Sequence, residues 1–489
     1  MATRNIIGLD CGNSSFRILL GKYDGQTITT EVVDQLPNDM IRIGDYFYWD
    51  ILKIFDGFQS SLKKIARKVD KIDSIGICTW GVDFAMFDQE GNMVGNPLSY
   101  RNEIGETYLS RLTEEQKREM FRKTGIACDK INSIYRLAAL KEIMPSQYSI
   151  ADKVLMVPDI LNYFVTGVMV NEPSELSTTQ IMSAKSRRIC PEICEEFGIS
   201  EDLFCKLGRH GERIGLVRKS ILEEIGVDYD IPVICVPSHD TAAAVVAIPT
   251  QESDYIFISS GTWSLIGTET DEPVMDDAVL EVGLTNEVGA FDKITLLKNS
   301  AGMFIIQRIK KEYDLAADRN STWEELKALA QERKGKIPLI NINNSRFFNP
   351  LKMSEEIWAY LVETGQVQGE FDWGTIIKAV YESMACCYAV TVEQLEAAVS
   401  KRFNSIYIVG GGSKNEVVNS LTAKRTGKKV LACGQESTSL GNIATQLKAF
   451  DETMDLKKIR KVIEDSIHIV EYSEPKEGAE VIARYKNMP

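Results

Sequence analysis

The sequence contains no uninterrupted apolar run of about 18 residues, the length that a helix needs to cross a membrane. Its first residues, MATRNIIGLD, lack the apolar core and the small-residue cleavage site of a signal peptide. We therefore expect a cytoplasmic protein with no membrane partner.

The sequence also lacks a Lys/Arg-rich tract, and its formal net charge is −14. An acidic surface repels phosphate backbones, so nucleic acid is not an expected partner, although a small anionic nucleotide can still bind in a local pocket. Several of the ten cysteines lie inside apolar runs, as reduced buried thiols do. Cys190 and Cys194 lack the second Cys or His pair that would complete a zinc site.

Two motifs that commonly hold nucleotides are missing as well. No G-x-x-x-x-G-K-[ST] occurs, and the glycine-rich loop at 410–412 does not fit G-x-G-x-x-G. The P-loop and Rossmann classes of nucleotide-binding protein are therefore excluded.

The elements that are present predict an α/β protein. A chain of 489 residues is too long for one hydrophobic core. Strands are predicted at 6–9, 16–23 and 27–34, and apolar residues at spacings of three and four predict a helix from Ile51 to Val69. Because strand character returns at 72–78, we expect a mixed sheet with helical crossovers.

A loop of phosphate-binding composition, DCGNSSFR at 10–17, joins the first two predicted strands. Its backbone N–H groups and the hydroxyls of Ser14 and Ser15 can donate to phosphate, and the carboxylate of Asp10 can hold Mg²⁺. An ordinary turn has the same composition, so this loop alone decides nothing.

The strand–loop–strand pattern returns later in the chain. Ser259–Thr262 (SSGT) lies between two apolar runs, and three glycines at 410–412 follow the predicted strand 406–409. Glycine lets a backbone approach a phosphate or a flat ring without obstruction by a Cβ atom. The repetition predicts a duplicated fold that clamps a nucleotide between its halves.

Two further polar stretches follow apolar strands, and each has two interpretations. Asp240, in Ser238-His239-Asp240, can accept a proton from a substrate hydroxyl or can cap the helix that follows. Trp80 can stack on a sugar face or fill the core. His210, which lies among Lys206, Arg209 and Arg213, is expected at the surface.

With these stretches in this order, the chain resembles the FGGY carbohydrate kinases of the actin, hexokinase and Hsp70 ATPase superfamily. Within that family the similarity is greatest to bacterial kinases of L-rhamnulose, and it runs essentially from end to end. The matching motifs are DCGNSSFR at 10–17, TWGVDF at 79–84, SHDTA at 238–242, SSGTWSL at 259–265, LKN at 297–299, VGGG at 409–412 and SLGN at 439–442.

The resemblance implies a two-domain actin-like (ribonuclease H-like) ATPase fold of the α/β class, in which duplicated mixed β-sheet domains are flanked by helices on either side of a cleft. We expect an N-terminal domain at 1–245 with the sugar site, the first phosphate loop and the catalytic base. A C-terminal ATP-binding domain is expected at 246–489.

The resemblance also implies roles for individual residues. Asp240 matches the catalytic base, and Asp10 lies near the metal in the family. The positions that match sugar contacts are Gly81, His239, Asp240, Thr241 and Asn299. The positions that match ATP contacts are Asn13, Ser14, Ser15, Phe16, Arg17, Thr262, Gln307 and Gly411.

Three departures from the family pattern bear on this comparison. Close relatives have Gly where this chain has Phe16, Asp where it has Cys78, and a YRD-x-R pattern where Asn102 follows Tyr100 and Arg101. A bulky ring in the phosphate loop would crowd a nucleotide, and the uncharged Asn102 makes a changed sugar preference plausible.

The expected activity is ATP- and Mg²⁺-dependent phosphorylation of the primary hydroxyl of a ketose, with L-rhamnulose, giving L-rhamnulose 1-phosphate, as the first substrate to try. Another ketose such as L-fuculose or xylulose, and a catalytically weak sugar-binding sensor, are the alternatives. A polymerising actin-like ATPase is a third class, which would not need the TWG and SHD elements. We expect a monomer or a homodimer.

Overall fold

The computed structural model describes residues 3–488 and divides into two compact units. The first unit contains the chain up to Gln251 and two later segments, Glu269–Leu296 and Ser437–Ile467. The second contains Glu252–Thr268, Leu297–Glu436 and the chain from His468 onward. The chain therefore crosses from one unit to the other several times, and residues well beyond 246 belong to the first.

The strands follow one another along the chain as β1 Arg4–Cys11, β2 Ser15–Tyr23, β3 Ile28–Pro37, β4 Met40–Ile43, β5 Tyr46–Trp49, β6 Ser74–Thr79, β7 Phe84–Phe87, β8 Met93–Val94, β9 Lys153–Met156, β10 Met182–Ser183, β11 Arg188–Ile189, β12 Arg213–Leu216, β13 Pro232–Ile234, β14 Tyr255–Ser260, β15 Trp263–Thr270, β16 Thr285–Val288, β17 Ile294–Ala301, β18 Ser405–Val409, β19 Lys429–Ala432 and β20 Val470–Tyr472.

The helices are α1 Ile51–Ala66, α2 Ile104–Leu109, α3 Glu114–Thr124, α4 Ser133–Ile143, α5 Pro145–Ser149, α6 Val157–Thr166, α7 Pro173–Ser177, α8 Pro191–Phe197, α9 Lys219–Ile225, α10 Asp240–Val246, α11 Asp277–Glu281, α12 Phe304–Ala316, α13 Trp323–Glu332, α14 Met353–Glu363, α15 Trp373–Ala398, α16 Glu416–Thr426, α17 Ser437–Thr445, α18 Leu456–Glu464 and α19 Ala479–Lys486. Short 3₁₀ turns occur at Glu201–Leu203, Ser345–Phe347, Gly411–Lys414 and Gln446–Ala449.

The first unit is built on a six-stranded mixed sheet in the order β12-β13-β6-β1-β2-β3. The strands β1, β2 and β3 form the predicted antiparallel meander, while β6 runs parallel to β1 and β13 runs parallel to β6. A crossover connection is needed between parallel neighbours, and the connection from the meander to β6, which pairs with β1, contains α1. The predicted mixed sheet with helical crossovers is confirmed.

Helix α1 begins after Asp50, whose carboxylate accepts the backbone N–H of Lys53 at 3.1 Å. Its apolar stripe is fully buried, including Phe58 and Leu62, and each such side chain stabilises the fold by about 1.5–3 kcal/mol. The helix ends at Ala66, earlier than the predicted Val69.

Helix α17 packs on the same sheet, although it lies near the other end of the chain. Asn442 donates to the carbonyl of Leu9 at 3.2 Å, and Gln446, in the next turn, donates to the carbonyl of Ile7 at 3.0 Å. Gly76 of β6 permits this close approach, because a Cβ atom there would lie 2.4 Å from Oδ1 of Asn442. The helix thereby fixes the ends of β1 and β6.

The second unit has a sheet in the order β17-β15-β14-β18-β19-β20. Its centre, β14-β18-β19, is parallel, and β15 is antiparallel to β14. Helix α15 is long and apolar enough to cross a membrane by length and composition alone, but 83% of its most apolar window is buried inside the protein. It is a core helix of this unit.

Candidate active site

Three polar stretches of the first unit meet where neighbouring parallel strands end. Strand β1 ends beside β6, with Asp10 opposite Cys78, and Thr79 forms a bridge with His239. The backbone N–H of Thr79 donates to the carbonyl of Ser238 at 2.8 Å. The carboxyl ends of parallel strands share one edge of a sheet, which is why residues far apart in the sequence lie together here.

Asp240 is the first residue of α10, and its side chain keeps 36% of its surface exposed. Thr241 donates a hydroxyl to Oδ1 of Asp240 at 3.2 Å. Burial raises the pKa of the Asp240 carboxyl, the imidazole of His239 opposes that effect, and the charge of Asp10 adds to it. A carboxylate that is reachable and has a raised pKa suits a general base.

His239 lies between two carboxylates. Its Nδ1 is 3.1 Å from Oε2 of Glu287, on β16, and its Nε2 is 3.6 Å from Oδ1 of Asp240. Burial alone would lower the pKa of His239, but Glu287 and then Asp240 outweigh it and raise the pKa to about 9. His239 is therefore a cation at neutral pH. No sequence motif surrounds Glu287, so nothing in the sequence singles it out.

Gly81 lies against the imidazole. A Cβ atom at Gly81 would be 3.3 Å from Nε2 of His239 and 3.1 Å from Cγ2 of Thr178. The next residue, Val82, has a φ of 68°, a left-handed conformation that is strained for a β-branched side chain. Its N–H donates to the hydroxyl of Thr178 at 3.0 Å, and its carbonyl accepts from Ser133 at 2.6 Å.

A buried network supports this strained turn. Arg136 donates from Nη1 to the carbonyl of Val82 at 3.0 Å, and the same nitrogen lies 2.7 Å from Oδ1 of Asp83. The indole of Trp80 donates to Oδ2 of Asp83 at 2.8 Å, and its ring centroid lies 4.4 Å from that of Trp49. Trp80 is 3% exposed. Of its two interpretations, the core side chain is therefore correct.

Asp10 is buried, and its Oδ2 accepts from Nη2 of Arg17 at 2.6 Å and from the hydroxyl of Ser439 at 2.8 Å. Among residues 3–488 no group of three or more His, Cys, Asp or Glu side chains is arranged to hold a metal. A single carboxylate still fits Mg²⁺, because this ion commonly takes one or two protein carboxylates and completes its shell with water and substrate phosphates.

The first phosphate loop is a tight turn held by β3 and the residues after it. Gly12 N–H donates to the carbonyl of Ser15 at 2.9 Å, and Asn38 donates to the carbonyl of Gly12 at 2.8 Å. Ser14 is exposed, whereas the ring of Phe16 is 1% exposed and belongs to the core under α1. The ring therefore points away from the loop, and any contact of Phe16 with a nucleotide is left to its backbone.

The other two departures are structural in this chain. Asn102 donates both amide hydrogens to backbone carbonyls, those of Phe47 and Ser99, each at 2.8 Å, and accepts the N–H of Phe47 at 2.9 Å. This leaves no amide donor for a sugar. Cys78 is buried, and its thiol lies 3.4 Å from the amide of Asn442.

The second unit brings its two glycine-containing loops together. Gly410 and Gly412 pack on Ser260, since a Cβ atom at Gly412 would be 2.0 Å from Oγ of Ser260. Gly411 has open space where a side chain would be, and Thr262 is exposed. The N–H of Met303, just before α12, donates to the carbonyl of Gly261 at 3.0 Å. Thr262 and Gly411 are thus both accessible on adjoining loops.

The remaining candidates of the second unit are also accessible. Gln307 is exposed on α12, one turn after Met303, and Asn299 is exposed on β17. His210 was expected at the surface, but its side chain is only 7% exposed, and this prediction is wrong. Its Nε2 lies 2.6 Å from Oε1 of Glu172, and its Nδ1 accepts the N–H of Phe291 at 3.1 Å.

Comparisons with known proteins show the family to which the chain belongs. Residues 5–247 match the profile of the FGGY family of carbohydrate kinases, N-terminal domain, and residues 256–450 match the C-terminal domain. The chain is 35% identical over 473 residues to a rhamnulokinase of Bacteroides thetaiotaomicron, covering 96% of each chain. It is 34% identical over 470 residues to a rhamnulokinase of Oceanobacillus iheyensis, covering 96% of this chain and 98% of that one.

A solved structure shares the fold at lower identity. The gluconate kinase of Lactobacillus acidophilus superposes with a TM-score of 0.80 at 18% identity, covering 99% of this chain and 96% of that one. The predicted α/β fold of the actin-like class is confirmed by this similarity.

Proposed function

The chain belongs to the FGGY family of carbohydrate kinases and is a sugar kinase, and from that premise we propose that it phosphorylates the primary hydroxyl of a ketose with ATP. L-Rhamnulose is the proposed substrate and L-rhamnulose 1-phosphate the product. The observation that carries the proposal is the reachable carboxylate of Asp240, whose Oδ1 lies 3.6 Å from Nε2 of His239.

Asp240 is the proposed general base. It takes the proton of the sugar's primary hydroxyl while that oxygen forms a bond to the γ-phosphorus of ATP. The bond between the γ-phosphorus and the β,γ-bridging oxygen breaks, and ADP leaves with the electron pair. Phosphoryl transfer needs little more from a protein than alignment and charge stabilisation, so one carboxylate at the nucleophile suffices.

The proposed sugar contacts are Gly81, His239, Thr241 and Asn299. Gly81 supports this role because its missing side chain leaves space over His239. A sugar hydroxyl placed there can accept a hydrogen bond from Nε2 of the imidazolium.

The proposed ATP contacts are Asn13, Ser14, Ser15, the backbone of Phe16, Arg17, Thr262, Gln307 and Gly411. The exposed hydroxyls of Ser14 and Thr262 can donate hydrogen bonds to phosphates. The open face of Gly411 leaves room for a ribose or a base. Asp10 would hold Mg²⁺. When bound, that ion would neutralise phosphate charge and orient the transferred group.

A catalytically weak sugar-binding sensor was the alternative that Phe16 favoured. Because the ring is packed in the core, no observation now supports a blocked phosphate loop. Another ketose, such as L-fuculose or xylulose, remains the alternative substrate. We further propose that the enzyme works in the cytoplasm as a monomer or homodimer, which light scattering of the purified protein can decide.

The test is a coupled ADP-release assay with Mg²⁺ and a panel of ketoses that contains L-rhamnulose, L-fuculose and xylulose. We expect the largest kcat/KM with L-rhamnulose. Asp240→Asn, which keeps the shape of the side chain, should abolish turnover while sugar binding by calorimetry persists. Turnover of none of the ketoses by a folded sample would refute the proposed reaction, and an active Asp240→Asn enzyme would refute the assigned base.

A further inference from the structure

The carboxylate of Glu287, in β16 of the first unit, has one partner. Its Oε2 lies 3.1 Å from Nδ1 of His239, an ion-pair distance without the alignment of a hydrogen bond, and no other ion pair and no hydrogen bond of this side chain occurs within the described part of the chain. Glu287 is only 16% exposed and His239 only 10%. A buried carboxylate is stable only with a charged or hydrogen-bonding partner, so the two side chains depend on each other.

The other side of His239 faces the proposed reaction centre. Its Nε2 is 3.6 Å from Oδ1 of Asp240, which is longer than a hydrogen bond. Its backbone N–H donates to the hydroxyl of Ser174 at 3.1 Å, which fixes the start of α10. A sugar hydroxyl between the two side chains can therefore accept from Nε2 while it donates to Asp240.

The remaining acidic groups near His239 do not replace Glu287. Glu172, on the turn before α7, already accepts from the N–H groups of Ser174 and Glu175 and pairs with His210. Both carboxyl oxygens of Glu175 are buried without a hydrogen-bond partner, and burial raises the pKa of this group well above its usual value. Burial therefore disfavours the charged form of Glu175.

We propose that Glu287 is a positioning residue that keeps His239 doubly protonated, so that Nδ1–H faces Glu287 and Nε2–H faces the sugar beside Asp240. A neutral histidine that donates to Glu287 through Nδ1 has only a lone pair at Nε2 and cannot donate to the substrate. The catalytic consequence of this inference rests on the proposed function. The effect of Glu287 on the charge state of His239 does not depend on that function.

The direction of the pH effect on a Glu287 variant follows from the pairing of Glu287 with His239. The pKa of His239 is raised to about 9, so the imidazolium is present below that pH and is lost above it. Removing the charge of Glu287 lowers this pKa, and the loss then begins at lower pH. At acidic pH the imidazole of the variant is protonated again. The defect of a Glu287 variant should therefore be confined to a window that ends near pH 9.

The first measurement is direct. The chain contains three histidines, so protein with ¹³C-labelled histidine gives three Cε1–H signals, and His239→Asn identifies the relevant one. We expect its titration midpoint near pH 9 in the wild type. In Glu287→Gln the midpoint should fall by about 1–3 pH units. The exposed control Glu272→Gln, which removes the same charge, should leave it unchanged.

The second measurement is the pH dependence of kcat/KM for L-rhamnulose from pH 5 to pH 10. In Glu287→Gln the alkaline limb should shift to lower pH, with about a tenfold loss for each pH unit above the new midpoint. The acid limb should stay in place, and Glu287→Asp should restore part of the alkaline limb. A role of Glu287 in folding alone would instead lower activity equally at all pH values.

An unchanged His239 midpoint in Glu287→Gln would overturn the proposal, as would a pH-independent loss of kcat/KM. If no ketose is phosphorylated by the wild type, the proposed function fails, and the titration still decides whether Glu287 controls the charge of His239.

Discussion

The ring of Phe16 fills the space that Gly57 of α1 leaves open. A Cβ atom at Gly57 would lie 2.8 Å from Cζ of Phe16 and 2.8 Å from Cδ1 of Leu36. Real Cβ atoms do not approach other atoms so closely, so a bulky residue at 16 depends on a glycine at 57. This pairing explains how the loop at 10–17 accommodates the ring of phenylalanine in the core.

Phe16→Ala should destabilise the protein by about 3–5 kcal/mol because it leaves a cavity in the core. The KM for ATP should change little, since the ring does not face the loop. Gly57→Ala alone should cost about 1–3 kcal/mol through overpacking, and less when combined with Phe16→Ala. Urea unfolding followed by circular dichroism measures all three. Additive costs would show that the two residues are independent.

Glu175→Gln should stabilise the protein at alkaline pH. The pKa of the Glu175 carboxyl is raised well above 4.5 by burial, so the folded chain keeps a proton that the unfolded chain releases. Stability therefore falls as pH rises above about 4.5, by up to about 1.4 kcal/mol per pH unit. Because glutamine does not titrate, Glu175→Gln does not lose stability in this way as the pH rises.

The comparison requires urea unfolding midpoints at pH 4.5 and pH 8 for the wild type, Glu175→Gln and the exposed control Glu195→Gln. The advantage of Glu175→Gln should appear only at pH 8. An equal difference at both pH values would mean that the substitution acts through packing and not through the proton.

Gly81→Ala should weaken sugar binding selectively. The new methyl group would lie 3.3 Å from the imidazole of His239, in the space proposed for the substrate. A small displacement of a positioned group can cost up to about a hundredfold, so we expect kcat/KM for the sugar to fall by about ten- to a hundredfold. The KM for ATP and the thermal melting temperature are the controls. Unchanged sugar kinetics would remove Gly81 from the sugar site.

Arg136→Met should strongly destabilise the first unit. It leaves the buried carboxylate of Asp83 without its cation and removes one of the two side-chain donors to the carbonyl of Val82. Breaking a buried pair in this way costs about 3–5 kcal/mol. The control is Arg111→Met, whose ion pair with Glu142 is exposed and should contribute little. Similar unfolding midpoints for the two variants would contradict the structural role of Arg136.

Much of the fold was predictable because its signals are local. Apolar patterns in the sequence predict the antiparallel meander and α1. The polar stretches after β6 and β13 each follow an apolar run. The structure contains all of these elements. Short apolar strands followed at once by small polar residues indicate the carboxyl edge of a sheet. For the same reason the strand ends at Asp10, Gly81 and Asp240 could be singled out before their proximity was known.

The errors and omissions concern long-range packing. His210 was expected at the surface because its sequence neighbours are basic, yet it is paired with Glu172. Glu287 belongs to no motif and approaches His239 only through the fold. Asn102 has the chemistry of a sugar ligand, but its amide holds the backbone of Phe47. In each case the partner, and not the residue type, determines the role.

The bond from Ser439 to Asp10 spans 429 residues of sequence, and this has a consequence for biosynthesis. At about 5–20 residues per second, a ribosome needs roughly 20–90 s to add that much chain. Throughout this time the emerging first sheet lacks α17, and the carbonyls of Ile7 and Leu9 lack their donors. The edge of the first sheet that carries Asp10 is therefore completed only near the end of translation, so a chain that terminates early should be a substrate for chaperones and proteases instead of a partly active kinase.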